Sequence, residues 1–393
     1  MPDSAMQPNV PGGTARKRIL MFGYLPPPYF GPSITYQALL HSGFPRAFDV
    51  VFVDVTVSGS IGDLEQFRAG KVLKMLGFLM REFWLLLTGR FDFCCCPLAF
   101  NRNGFVKDAL LLGLARAFGV PTVIYAHNNN LPDFYERSAP WVQRLIGRTA
   151  SRAAGVIVLG ESLRFNFERW LPPEKIFVAP TGIEPVTPLP QAPKDGRTIS
   201  VVYLGNLVPE KGVFVVLEAA ARILQQRRDV RFMLAGAWFK TADEQRARDY
   251  VLREGLSDHV KFIDRVVGEQ KWRLLAGSDL LVFPTFYYYE TMGLVLLEAM
   301  QAGLPVVTTR RASIPEIIQD GVNGLLVNEQ DPADLAEKIL RLANDPALRE
   351  QMGRANRERF EREYTHEQYG QRMIGVFDKL SGGGPRPQTP GGA

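Results

Sequence analysis

The chain is poor in the residues that usually advertise a cofactor or a metal: it holds four histidines and three cysteines among 393 residues. The cysteines are consecutive, Cys94, Cys95 and Cys96, inside an apolar run. They have neither metal-ligand spacing nor the makings of a disulfide framework. Adjacent strand residues point to opposite faces, so the three read as small core residues of a reducing compartment. No G-x-G-x-x-G follows a strand-like run, which disfavours a dinucleotide-dependent oxidoreductase. Long Lys/Arg runs are missing too: the net charge of +5 and the pI of about 9.0 come from scattered residues. That excess suits an anionic small molecule or an anionic membrane surface and is too mild to argue for nucleic acid. The opening residues, MPDSAMQPNVPGG, lack the apolar centre of a signal peptide, so cytoplasmic residence is expected. The most apolar stretch, Lys71 to Arg90, is interrupted by Arg81 and Glu82, which argues against a membrane span.

What the chain does have is a repeated alternation of short apolar runs with longer segments of helical period. The runs Arg18 to Phe22, Val50 to Val55, Phe91 to Cys96, Pro121 to Ala126, Gly155 to Leu159 and Ile176 to Ala179 read as strands. After the proline-rich stretch from Pro180 to Arg197 the alternation restarts, with strands at Ile199 to Leu204, Val230 to Ala235, Val260 to Ile263, Leu280 to Phe283, Pro305 to Thr308 and Leu325 to Val327. Such alternation implies βαβ units and a mostly parallel sheet. The length is more than one core needs. The expected organisation is a disordered N-terminus over 1–15, an N-terminal domain over 16–184, a linker over 185–197 and a C-terminal domain over 198–365. A C-terminal helix over 366–380 follows, expected to pack back on the N-terminal domain, and then a disordered tail over 381–393. Two α/β halves joined by a hinge leave a cleft, and ligands favour clefts.

Chemistry concentrates in PTFYYYETMGLVLLEAMQAGLPVVTTRRASIPEIIQDGVNGLL, from Pro284 to Leu326. Glu298 lies in a helix that is apolar all round and therefore buried. A buried carboxylate needs donors, either a nearby Lys or Arg or the vicinal hydroxyls of a ribose. Glu290, in the loop before that helix, is a solvated loop carboxylate or a ligand contact. Lys211 follows a strand and the loop Gly205 to Gly212, GNLVPEKG, at the start of a helix. Its ammonium and the helix amides would together hold a diphosphate. In the first half, Gly31 stands in a strand–loop–helix step of the kind whose first-turn amides accept an anion. His127, followed by Asn128, Asn129 and Asn130, stands at the carboxyl end of a strand, where open α/β sheets bind ligands.

These motifs together resemble the retaining glycosyltransferases of the GT-B fold, family 4, also called glycosyl transferases group 1. The likeness rests on the Gly-x5-Lys-Gly loop at Gly205 to Gly212, the E-x7-E pair Glu290 and Glu298, the EAMxxGxPVV run from Glu298 to Val307, and the DGxNG turn from Asp320 to Gly324. The N-terminal half matches less, at Gly31, His127-Asn128 and Ile176 to Ile183. The resemblance implies two Rossmann-like doubly wound domains facing a central cleft. It implies Glu298 on the ribose hydroxyls, Glu290 on the donor sugar, Thr291, Met292, Gly293 and Leu294 presenting backbone to the phosphates, and Lys211 on the diphosphate. Gly205 and Asn206 would line the donor, Gly31 would let the N-terminal domain approach the phosphates, and His127 would sit by the reacting carbon. Asn206 stands where the family usually carries Arg, which removes one fixed positive charge. Glu290-Thr291-Met292-Gly293 departs from the family's usual Gly-Phe-Gly or Pro-Phe-Gly after the first Glu.

The function that follows is a retaining sugar transfer from a nucleoside-diphosphate sugar to a glycan, lipid-linked or small-molecule acceptor, in polysaccharide or glycoconjugate synthesis. Glu290, His127 and Lys211 would be the catalytic residues. No Asp-x-Asp cluster stands at a strand–helix loop, so metal independence is expected, with no cofactor beyond the donor. Residues 71–90 would give a peripheral membrane contact on the inner face, through Lys71, Lys74, Arg81 and Arg90 with Phe78, Phe83 and Trp84; a helix buried against the sheet is the other reading. The rival functions are an epimerase or phosphorylase of the same fold and a non-catalytic nucleotide-sugar binder.

Overall fold

A computed structural model describes residues 16–56, 69–194 and 196–382, with side chains 69–73 also outside the description. The disorder expected at 1–15 and in most of the 381–393 tail falls outside the described residues.

Two parallel sheets organise the chain, with six strands each among the described residues. The first comprises β1 (Arg18–Gly23), β2 (Asp49–Asp54), β3 (Phe93–Pro97), β4 (Thr122–Tyr125), β5 (Gly155–Val158) and β6 (Ile176–Val178), in the order β2-β1-β3-β4-β5-β6. The second comprises β7 (Ile199–Leu204), β8 (Val230–Ala235), β9 (Val260–Ile263), β10 (Leu280–Phe283), β11 (Val306–Thr309) and β12 (Gly324–Val327), in the order β12-β11-β10-β7-β8-β9. The strands are continuous apolar runs because helices cover both faces of a parallel sheet. Cys94, Cys95 and Cys96 of β3 are all fully buried, so both faces of that strand are core.

In each sheet the strand order reverses direction once, between β1 and β3 and between β7 and β10. At such a point the two flanking loops run in opposite directions and leave a crevice beyond the carboxyl ends of the strands. Both crevices open toward the space between the domains, which is where residues after β1, β4, β7 and β10 meet.

The chain crosses between the domains twice. After β6 it leaves through the linker, and it returns through a short π-helical turn, Phe360–Tyr364, into the helix His366–Leu380. The crossings touch: the Ile183 amide donates to the Tyr364 carbonyl (3.0 Å) and the His366 amide to that of Ile183 (2.9 Å). Gly182 makes this approach attainable, since a Cβ there would lie 2.2 Å from the Thr365 carbonyl oxygen. The returning helix packs on the N-terminal domain. Phe377 meets the rings of Phe44, Phe48 and Phe93 at 5.5 to 5.7 Å, and the Tyr369 and Tyr125 hydroxyls share a 2.5 Å hydrogen bond.

Candidate functional site

The C-terminal wall of the cleft is built on glycines that bring three loops together. The loop after β7 begins at Gly205, whose carbonyl oxygen lies 1.8 Å from where a Cβ on Gly236, beyond β8, would stand. The same loop ends at Gly212 (φ +86°), and a Cβ there would be 2.2 Å from the Pro284 carbonyl oxygen. Only glycine permits that backbone angle and that distance together. Between the two, the turn Pro209–Lys211 carries Lys211 to the residues that follow β10. Its ammonium lies 3.2 Å from Glu290 Oε2 and 5.4 Å from the ring centroids of Phe283 and Tyr287. Glu290 is 8% exposed, so the solvated alternative for this carboxylate does not hold: the Gly212 contact delivers a lysine to it. Beneath the pair, burial and the neighbouring Glu290 raise the Tyr203 pKa, which keeps this side chain a phenol. The Tyr203 hydroxyl donates to the Asn206 carbonyl (3.0 Å), fixing the backbone where the family pattern has Arg.

The helix Leu294–Gln301 starts one residue after Gly293, which is left-handed at φ +71°. Thr291 and Met292 are buried, and the Thr291 carbonyl accepts from the Ser313 amide (3.0 Å) and hydroxyl (2.6 Å). In the first turn the Leu296 amide donates to the Gly293 carbonyl (2.9 Å), and the amides before it, which have no partner inside the helix, are placed to meet an anion. One turn on, Glu298 is buried and its Oε1 lies 2.5 Å from Lys271 Nζ. Of the two partners open to Glu298, the structure supplies the cation, and the second carboxylate oxygen is left for other donors. Lys271 was missed in the sequence because nothing in its helix, Gly268–Ala276, marks it as facing another element. The need of Glu298 for a donor was the available signal.

The N-terminal wall faces this helix end to end. Gly31 opens the helix Gly31–His41, and the Ser33 hydroxyl accepts the Phe30 amide (3.0 Å). A Cβ on Gly31 would meet only Leu294 Cδ1, at 4.0 Å. Two helix N-termini, each with a partial positive charge, therefore point at one region beside Lys211. The Arg265 guanidinium, beyond β9, crosses from the other domain to the Tyr29 carbonyl (2.6 Å).

His127 lies beyond β4, half-buried against the rings of Tyr36 and Tyr125 at 5.2 and 4.1 Å. Its Nε2 is buried with no partner among the described residues, and burial lowers its pKa to about 3. It is a neutral imidazole at physiological pH. Three residues on, Asn130 adopts a left-handed backbone (φ 68°), and its side-chain Nδ2 donates across the cleft to the Tyr288 carbonyl (2.6 Å). This bond ties the His127 loop to the loop that presents Glu290; the Asn128 to Asn130 run marks the first loop in the sequence, but nothing there marks Tyr288 as its partner. A separate concavity of about 680 Å³ between the linker and Trp272 is lined by none of these residues.

Two doubly wound α/β domains facing one cleft, with paired carboxylates and lysines on the C-terminal wall, define a glycosyltransferase fold of the GT-B class. The model of the family described as glycosyl transferases group 1 matches residues 189–359. The match covers most of the C-terminal domain and less than half of the chain. The chain is 26% identical over 289 residues to alpha-D-kanosaminyltransferase of Streptomyces kanamyceticus, covering 68% of this chain and 72% of that protein. It is 30% identical over 186 residues to spore coat protein SA of Bacillus subtilis (strain 168), covering 46% of this chain and 48%, about half, of that relative's length. In fold it is similar to Anabaena HepE, solved in complex with UDP, with a TM-score of 0.72 and 17% identity over 92% of this chain and all of that one.

Proposed function

We propose that the chain transfers a sugar from a nucleoside-diphosphate sugar to a glycan, lipid-linked or small-molecule acceptor, with retention of configuration and without a metal. The observation that carries this reading is the convergence of the Gly31 and Leu294 helix ends on the space beside Lys211, with Glu290 and Glu298 fixed on the same wall. An anionic diphosphate would lie between the helix ends and take the Lys211 ammonium. Glu298 would accept from the ribose hydroxyls while Lys271 holds its other side, and Glu290 would accept from hydroxyls of the donor sugar. The neutral His127 would lie near the reacting carbon, where its partnerless Nε2 suits a hydrogen bond to a hydroxyl.

In the chemical step the bond from the anomeric carbon to the diphosphate oxygen breaks, and a bond from the acceptor oxygen forms on the same face. The acceptor's proton passes to the departing diphosphate. Fixed positive charge aimed at that leaving group supplies the acceleration. Complexes of the Anabaena neighbour with UDP and UDP-glucose support a nucleotide-sugar donor. Contact with a membrane surface through 71–90, at the cytoplasmic face, belongs to the same reading.

A thermal-shift screen across UDP-, GDP- and ADP-sugars, followed by transfer assays on the stabilising donors, tests it. Glu290→Ala and Glu298→Ala should fold and lose most transfer activity. Wild-type activity in both would remove the site assignment, and donor binding without turnover on any acceptor would favour a non-catalytic binder.

A further inference from the structure

The helix Ala69–Thr88 and the helix Arg102–Ala117 lie side by side on the N-terminal domain. Sixteen large apolar side chains are exposed among the described residues, and seven of them belong to this pair: Leu76, Met80, Phe83, Trp84 and Leu87 on the first, with Leu110 on the second and Phe118 at its C-cap. On the first helix the five fall within about 100° of its circumference. Trp84 and Met80 are each 58% exposed. The Phe83 and Phe118 rings touch, with centroids 5.7 Å apart, and join the two stripes into one face.

Charge sorts across these helices. Each has one carboxylate, Glu82 and Asp108, and both are turned inward and fully buried. The exposed charged residues described here are cations: Lys74 and Arg81 on the first helix, Arg90 just past its end, and Arg102 at the start of the second. An outer face that is apolar and basic, with its acids removed to the core, complements a layer of acyl chains under anionic head groups. No described helix is long and apolar enough to cross a membrane.

We infer that this two-helix face docks the N-terminal domain on an anionic lipid bilayer, with Trp84, Met80 and Leu87 in the interface and Arg81 and its neighbours on the head groups. The inference deepens the membrane contact proposed above by adding the second helix and the selection for head-group charge. The anchoring residues lie toward the carboxyl ends of the two helices, which lead into the amino ends of β3 and β4, so the docked face is formed by the N-terminal domain alone.

Flotation of the full chain with vesicles tests this apart from any donor chemistry. Vesicles of phosphatidylcholine alone should retain little protein. Those with about one-third phosphatidylglycerol should carry it up the gradient, less so at high salt. Trp84→Ser with Leu87→Ser should lower the bound fraction about tenfold or more, and Arg81→Glu should cost about fivefold or more on anionic vesicles only. Unchanged melting temperatures would show that the variants fold, as expected for exposed positions. The idea is overturned if the wild type fails to float, floats equally with neutral vesicles, or loses nothing in the variants. A concentration-dependent dimer abolished by Trp84→Ser with Leu87→Ser would assign the face to a second copy of the chain instead. Failure here leaves nucleotide-sugar transfer standing, and failure of transfer leaves lipid docking standing.

Discussion

Replacing Gly31 by alanine separates what the fold needs from what a ligand needs. Gly31 opens a helix, has no positive φ, and a Cβ on it would find ordinary contact with Leu294 Cδ1 at 4.0 Å and nothing closer. Alanine is also the better helix former, so stability should stay level or rise by about 0.5 kcal/mol. A phosphate oxygen held by the Gly31 amide would be crowded by the new methyl and would lose a charge-assisted hydrogen bond, about 1.5–3 kcal/mol. That predicts a fall of about 10- to 150-fold in kcat/KM, with a matching loss of affinity for the nucleoside diphosphate by calorimetry. The melting temperature from the same preparation gives the internal control. A Gly31→Ala enzyme with wild-type kcat/KM would refute the placement of the diphosphate between the two helix ends. Gly236→Ala is the contrasting case, because its Cβ would stand 1.8 Å from a backbone oxygen. It should lower the melting temperature whether or not a ligand is present.

Lys271→Met should weaken nucleotide binding less than Glu298→Ala does, because the ribose acceptor survives. Equal loss of stability in both variants, with no effect on affinity in either, would make the pair purely structural. Burial raises the Glu82 pKa to about 9, and neither of its oxygens has a hydrogen-bond partner among the described residues. A raised carboxyl contributes stability in full below its unfolded pKa near 4.5 and loses it as pH rises toward 9, by up to about 1.4 kcal/mol per pH unit. Glu82→Gln should therefore out-melt the wild type increasingly from pH 5 to pH 9, and a pH-independent difference in chemical denaturation would sink this account. For His127 the sign is opposite in pH: its lowered pKa means that stability is complete above pH 6.5 and falls as pH drops toward 3. His127→Gln should flatten acid denaturation over that interval.

The two sheets were legible because fully buried parallel strands are apolar without interruption, and Pro180 to Arg197 breaks that pattern once. The helix from Leu294 was legible for the same reason, since Glu298 in an apolar setting announces a carboxylate with a job. Lys271 and Arg265 were not legible. A surface-type lysine and a loop arginine carry no periodic signal, and their partners are 27 and 236 residues away along the chain. Whether Glu290 is solvated or a ligand contact could not be read locally, because its burial depends on Gly212 passing Pro284, a contact between two loops that no single stretch encodes. For 71–90 the sequence showed a helix too apolar for a surface and too charged for a core. Folding resolves that conflict by turning Glu82 inward and the aromatic side outward.

The double crossing at Gly182 and Thr365 gives the molecule a hinge made of two strands of chain held together by hydrogen bonds. A single linker would let one domain swivel in any direction relative to the other, whereas two joined crossings leave chiefly one axis of rotation. Opening for the donor and closing on it would then retrace a single path, and His127 and Glu290 would meet in the same register on every cycle. The N-terminal domain is also discontinuous along the chain, since the helix His366–Leu380 packs on it. Severed at the linker, it would lose the helix that covers Phe44, Phe48 and Phe93, so neither half of this enzyme is a separable module.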